Sequence, residues 1–83
     1  MTRYQQFNRI MRIQILKRDG YRCVYCGEPA SEIDHVILPR DGGVTGMSNG
    51  VACCKSCNRY KKNHPSDIRF VTRGLFWIAT HEG

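Results

Sequence analysis

Eighty-three residues make one domain, too small for a large core, and 13 Lys and Arg against 7 Asp and Glu leave a formal charge of +6. No apolar run is long enough to cross a bilayer, and no leader-like apolar segment follows Met1, so the chain reads as cytoplasmic, without a membrane partner. In that reducing setting five cysteines point to a metal staple rather than disulfides. The basic excess favours nucleic acid as partner over a merely solvated basic surface.

In chain order, Phe7, Ile10, Met11 and Ile15 recur at helical spacing, with Ile13 and Leu16 widening the apolar face, and predict a helix from Gln6 to Arg18 that stops at Gly20. Lys17 and Arg18 suit its last turn, where the helix dipole favours cations. Arg3, Arg9 and Arg12 read as its solvated face, with phosphate contact as the alternative. Cys23-Val24-Tyr25-Cys26-Gly27 has the form of a zinc knuckle, a tight turn whose glycine is free to take the backbone angle the turn needs.

Glu32 to Leu38 is apolar and β-branched enough for a short strand before Pro39. Four glycines between Arg40 and Gly50 argue against regular structure there, and Val51 to Cys53 reads as a returning strand. Lys55 to Asn63 suits a short exposed helix that Pro65 bars from continuing. A last helix, over residues 66–80, has Ser66 as its cap and Ile68, Val71, Leu75 and Ile78 on one face. Gly74 weakens its propensity, and Phe70, Phe76 and Trp77 read as core.

Cys26 and Cys54 are separated by 27 residues, so the pattern is one CxxC pair, a long insert and a second CxxC pair. Four thiolates, Cys23, Cys26, Cys54 and Cys57, close a tetrahedral Zn2+ shell with no position for water, which makes the site structural. Cys53 lies beside Cys54 but off the knuckle spacing, and reads as a small buried hydrophobe rather than a ligand.

From Ile15 to Asn63 the chain resembles the HNH endonucleases of the ββα-metal, or His-Me finger, type. The likeness rests on Leu16-Lys17-Arg18-Asp19-Gly20-Tyr21-Arg22-Cys23-Val24-Tyr25-Cys26-Gly27, then Asp34-His35, Gly42-Gly43, Asn49, and Cys54-Lys55-Ser56-Cys57-Asn58 with Lys61 behind it. It implies an α+β fold, a small zinc-stapled ββα-metal finger flanked by an N-terminal and a C-terminal helix, with residues 1–83 as one nuclease domain and 15–63 as its core. It implies a metal-dependent endonuclease that nicks or cleaves DNA, double-stranded by expectation. His35 is then the general base, Asp34 a ligand of the catalytic divalent metal, Asn49 the residue that orients loop and base, and Asn58 the second metal ligand. Many relatives carry His where this chain has Asn58. A harder, weaker amide oxygen favours Mg2+ or Mn2+ there. Similar small proteins occur in bacteria and bacteriophages, some beside genome-packaging machinery, which implies a possible packaging partner.

The chemistry asks for the same residue types. Phosphodiester hydrolysis needs a base that is neutral near pH 7, which imidazole provides, and a cation to balance charge on the phosphoryl group and leaving oxygen. The basic surroundings should keep His35 neutral, and a backbone carbonyl is the expected partner of one ring nitrogen. Arg40, Arg59, Lys61 and Lys62 are the expected phosphate contacts; His64 reads as a solvent or phosphate group. Asp34 and His35, adjacent on a strand, share a site only at the strand edge or through a bend near Pro39. The alternative function is a non-catalytic zinc module of the same fold that binds nucleic acid or bridges proteins.

Overall fold

Asn8 opens the first helix, α1 (Arg9–Arg18), by accepting a hydrogen bond from the Met11 amide at 2.8 Å on its side-chain oxygen. Phe7 therefore precedes the helix instead of lying on it. The computed structural model describes residues 6–65 and 67–81; Arg3 and the expected cap Ser66 lie outside them. The remaining elements are β1 (Glu32–His35), a 3₁₀ turn (Pro39–Asp41), β2 (Gly50–Cys53), α2 (Lys55–Asn63) and α3 (Ile68–His81). The fold is α+β, with β1 and β2 paired antiparallel as Glu32 with Cys53, Ile33 with Ala52, Asp34 with Val51 and His35 with Gly50.

Two strands alone are marginal in water, so the hairpin depends on what covers it. Val24, Val36, Val51 and Ile78 form the central cluster, with Tyr25, Val71 and Trp77 packed against it. Ile15 is fully buried, and its Cδ1 and the Phe7 ring lie so near Gly50 that a Cβ there would come within 2.7 Å and 2.8 Å of them. At the first knuckle Gly27 takes φ +84°, and its amide donates to the Cys23 carbonyl at 2.8 Å.

Asp19, directly after α1, is buried and ties three elements together. Its Oδ2 accepts from the Ala52 amide at 2.8 Å and its Oδ1 from the Trp77 indole at 2.8 Å. Arg18 pairs with the same carboxylate at 2.7 Å and donates to the carbonyls of Met47 and Gly50 at 3.0 and 2.7 Å. Arg18, in the last turn of α1 as expected, therefore also holds the start of β2 and the loop before it.

Three expectations change. The first strand ends at His35 rather than Leu38, because the Asn49 side chain takes the Ile37 amide and carbonyl that a ladder would use. On α1, Ile10 is 69% exposed and Ile13 is also exposed, since the short hairpin reaches only Ile15 and, in part, Met11 and Leu16. On α3 the inward positions are Gly74 and Ile78, flanked by Phe70, Val71 and Trp77, while Ile68, Leu75 and Phe76 face outward.

Gly74 explains the rotation of α3. A Cβ at that position would sit 2.7 Å and 2.8 Å from the two methyls of the fully buried Val36. The glycine is a close-approach point whose packing outweighs its helix cost of about 1 kcal/mol. Gly74→Ala, a substitution that raises helix propensity, should instead destabilise the fold by about 1–3 kcal/mol in urea or thermal unfolding, because overpacking dominates.

Candidate active site

Residues two apart on a strand share a face, and so do residues three apart on a helix. Glu32 and Asp34 of β1 meet Asn58 and Lys61 of α2 as two polar rungs. The Asn58 amide donates to Glu32 Oε1 at 2.6 Å, and the Lys61 ammonium lies 2.9 Å from Asp34 Oδ2. Asp34 is buried, and its Oδ2 also accepts a 2.7 Å hydrogen bond from the Tyr25 hydroxyl. Lys61 completes its three donors with the carbonyls of His35 and Val36, at 2.6 and 2.9 Å. Burial, then the charge and hydrogen bond of Asp34, hold Tyr25 protonated well above the usual phenol range.

His35, at the end of β1, is half-buried with its ring tilted against Phe7 at 4.4 Å between centroids. Its Nε2 lies 2.9 Å from the Thr45 hydroxyl, so a side chain of the glycine-rich loop, and not the expected backbone carbonyl, meets this nitrogen. Burial holds the imidazole below its usual pKa; the Lys61 ammonium adds to that effect and the Asp34 carboxylate opposes it. The anticipated basic influence is present, but desolvation is the larger cause.

Asn49 fixes the loop that carries Thr45. Its Oδ1 accepts from the Ile37 amide at 2.8 Å, its Nδ2 donates to the carbonyls of Ile37 and Val44 at 2.9 and 2.8 Å, and its own carbonyl accepts from Val36. One buried amide thus holds both ends of the loop between β1 and β2.

A cleft of ≈380 Å³ lies between β1 and α2, and Asp34, His35, Asn58, Arg40 and Lys62 line it together. Its position along the strand edge answers the alternation problem posed by the adjacent Asp34 and His35. The hydrogen bond to Glu32 engages the nitrogen of the Asn58 amide. A larger groove of ≈500 Å³ on the other side of α2, walled by Tyr25, Tyr60 and Phe70, is lined among the described residues by no carboxylate or imidazole.

Lys61 corrects the sequence reading in one respect. It is 7% exposed and held by Asp34 and two carbonyls, so it faces inward at the wall of the cleft instead of standing on an exposed helix face. Arg40, Arg59 and Lys62 are exposed, the first and last at the cleft. His64 is exposed, stacked on Tyr60 at 3.9 Å. Glu32, Tyr25 and Thr45 escaped the sequence reading. The spacing of Glu32 and Asp34 on one strand face was the available signal for the first; nothing marked the other two.

The sulfurs of Cys23, Cys26, Cys54 and Cys57 all lie within 4.8 Å of one another, with those of Cys26 and Cys54 3.6 Å apart. Tetrahedral bonds of about 2.3 Å place thiolates about 3.8 Å apart, so the cluster fits a metal ion. The Cys57 amide donates to Cys54 Sγ at 3.3 Å, which makes a thiolate ligand the cap of α2. Cys53 is fully buried beside Cys23 and Cys54 and is not one of the four; its thiol donates to the Cys54 carbonyl at 3.2 Å. Among the described residues no helix is long and apolar enough to cross a membrane.

A sequence model of the HNH endonucleases matches residues 23–71. The chain is 39% identical over 79 residues to the CRISPR-associated endonuclease Cas9 of Corynebacterium diphtheriae, and 36% identical over 79 residues to that of Actinomyces naeslundii. Each alignment covers 88% of this chain and 7% of the relative, so the chain spans a small part of the proteins it matches.

Removing one partner of a buried ion pair leaves an uncompensated charge, which costs about 3–5 kcal/mol. Lys61→Ala should therefore destabilise the fold by about that much in chemical denaturation, whereas Lys62→Ala on the exposed side should stay within about 0.5 kcal/mol of the parent.

Proposed function

The chain belongs to the HNH endonuclease family, and on that premise we propose that it hydrolyses phosphodiester bonds of DNA, with His35 as general base and a Mg2+ or Mn2+ ion held by Asp34 and Asn58. The observation that carries the reading is the cleft between β1 and α2, which Asp34, His35 and Asn58 line together. Hard oxygen donors of this kind suit Mg2+ or Mn2+, and such an ion supplies charge neutralisation for the phosphoryl group and the leaving oxygen.

In the tautomer in which Nε2 donates to the Thr45 hydroxyl, 2.9 Å away, Nδ1 of His35 is the acceptor for a proton from water, and desolvation keeps the ring neutral for that task. The water oxygen bonds to phosphorus as the bond to the 3′ oxygen breaks, leaving a 5′ phosphate and, once that oxygen takes a proton, a 3′ hydroxyl. Asn49 keeps Thr45 where His35 needs it. Arg40, Arg59 and Lys62 contact the duplex backbone, positioning the substrate while reading little sequence. Cys23, Cys26, Cys54 and Cys57 hold Zn2+ as a structural centre with a closed shell.

Lys61 supports a second reading. Its ammonium already neutralises the carboxylate that a catalytic cation would use, as expected of a zinc module that binds nucleic acid without cutting it. Strand breakage separates the two. Supercoiled plasmid incubated with the protein in Mg2+ or Mn2+ should be nicked or linearised, and EDTA should abolish the reaction. His35→Ala with its zinc retained should be slower by about 10²-fold or more. A variant as fast as the parent removes His35 as base; plasmid that stays intact in every metal favours the binding module.

A further inference from the structure

We infer that Tyr25 is a positioning residue for the cation site: its hydroxyl, carried on the first cysteine knuckle, orients the Asp34 carboxylate so that Oδ1 is kept for the metal, and the thiolate-held centre thereby sets the geometry of the oxygen-held one. The inference rests on the assignment of Asp34 as a ligand made above, and it concerns a residue between two of the cysteines to which that assignment gives no part.

The knuckle backbone around Tyr25 is pinned on every side. The Val24 amide donates to the Ala52 carbonyl at 3.0 Å, the Val24 carbonyl accepts from Arg73 Nε at 2.8 Å, and Gly27 closes the turn onto Cys23. The ring is equally confined. Phe70 packs edge-on to it at 4.9 Å between centroids, and the hydroxyl lies 3.3 Å from where a Cβ on Gly74 would stand. A hydroxyl fixed this way can impose an orientation on whatever accepts from it.

Its acceptor is Asp34 Oδ2, at 2.7 Å, the same oxygen that faces Lys61 at 2.9 Å. Both donors fall on one oxygen, so rotation of the carboxylate breaks both contacts. Lys61 is held by two carbonyls, but its ammonium is a compact point charge with three rotatable donors and so places little directional demand on the carboxylate. The aromatic hydroxyl is the rigid member of the pair. Groups that hold a ligand in this way commonly change metal affinity or activity by about 10- to 100-fold when removed.

Tyr25→Phe deletes the hydroxyl and keeps the ring in its packing. Binding of Mn2+ alone to the zinc-loaded protein, read from the electron paramagnetic resonance of the free ion, should weaken by about 10-fold relative to the parent. Zinc content and unfolding midpoint report that the knuckle is intact, and Asp34→Asn marks the loss of the site. Equal Mn2+ affinity in parent and Tyr25→Phe overturns the inference, as does a parent that binds no Mn2+ through Asp34. Should Tyr25→Phe lose its zinc, 3-fluorotyrosine placed at position 25 tests the same contact with the hydroxyl retained: a more acidic donor shifts Mn2+ affinity if it holds the carboxylate, and an unchanged affinity overturns the inference. A parent that binds Mn2+ but breaks no DNA ends the nuclease reading while the binding comparison still decides this one.

Discussion

A carboxylate taken out of water must find partners, and among the described residues two are buried, Asp19 and Asp34. Asp19 gathers the end of α1, the amide of Ala52 on β2 and the indole of Trp77 on α3. Asp34 gathers the first knuckle through Tyr25, the second helix through Lys61, and β1 on which it sits. Every regular element except the 3₁₀ turn is joined to one of these two acids. In a domain whose central apolar cluster is Val24, Val36, Val51 and Ile78 with a few flanking side chains, polar ties of this kind specify which packing is adopted.

The hairpin and α2 consequently form a site in which each polar group is oriented by another. Glu32 turns the Asn58 amide, Thr45 meets His35, and Asn49 holds the loop that brings Thr45 there. No buried side-chain nitrogen or oxygen among the described residues lacks a partner. A site arranged before substrate arrives has less to reorganise during reaction, which is where electrostatic catalysis gains most. The four sulfurs stand outside that network but fix its margins, since Cys54 both joins the cluster and caps the helix that presents Asn58.

What the sequence revealed follows a physical division. Thiols at CxxC spacing have few roles in a small chain, so the cluster was legible from spacing alone, as were the Gly27 turn and the span of α2. Lys61 was misread because a lysine on a polar helix is exposed by default. Only the register of α2 against β1, a tertiary fact, turns it toward Asp34. The same ignorance of rotation sent Ile10, Ile68 and Phe76 to the wrong side of their helices. Asp19 did leave a signal that went unused: an acid at a helix C-terminus opposes the dipole, so its presence there called for a partner elsewhere.

The proposed function requires two cation sites of opposite chemistry, one made of sulfur and one of oxygen. Anomalous diffraction from crystals grown with Mn2+, collected at the zinc and manganese edges, tests this most directly. The expected result is a zinc peak about 2.3 Å from each of Cys23, Cys26, Cys54 and Cys57, and a manganese peak about 2.1 Å from oxygens of Asp34 and Asn58. A cluster without zinc, or manganese bound elsewhere while Lys61 keeps Asp34 to itself, would contradict it.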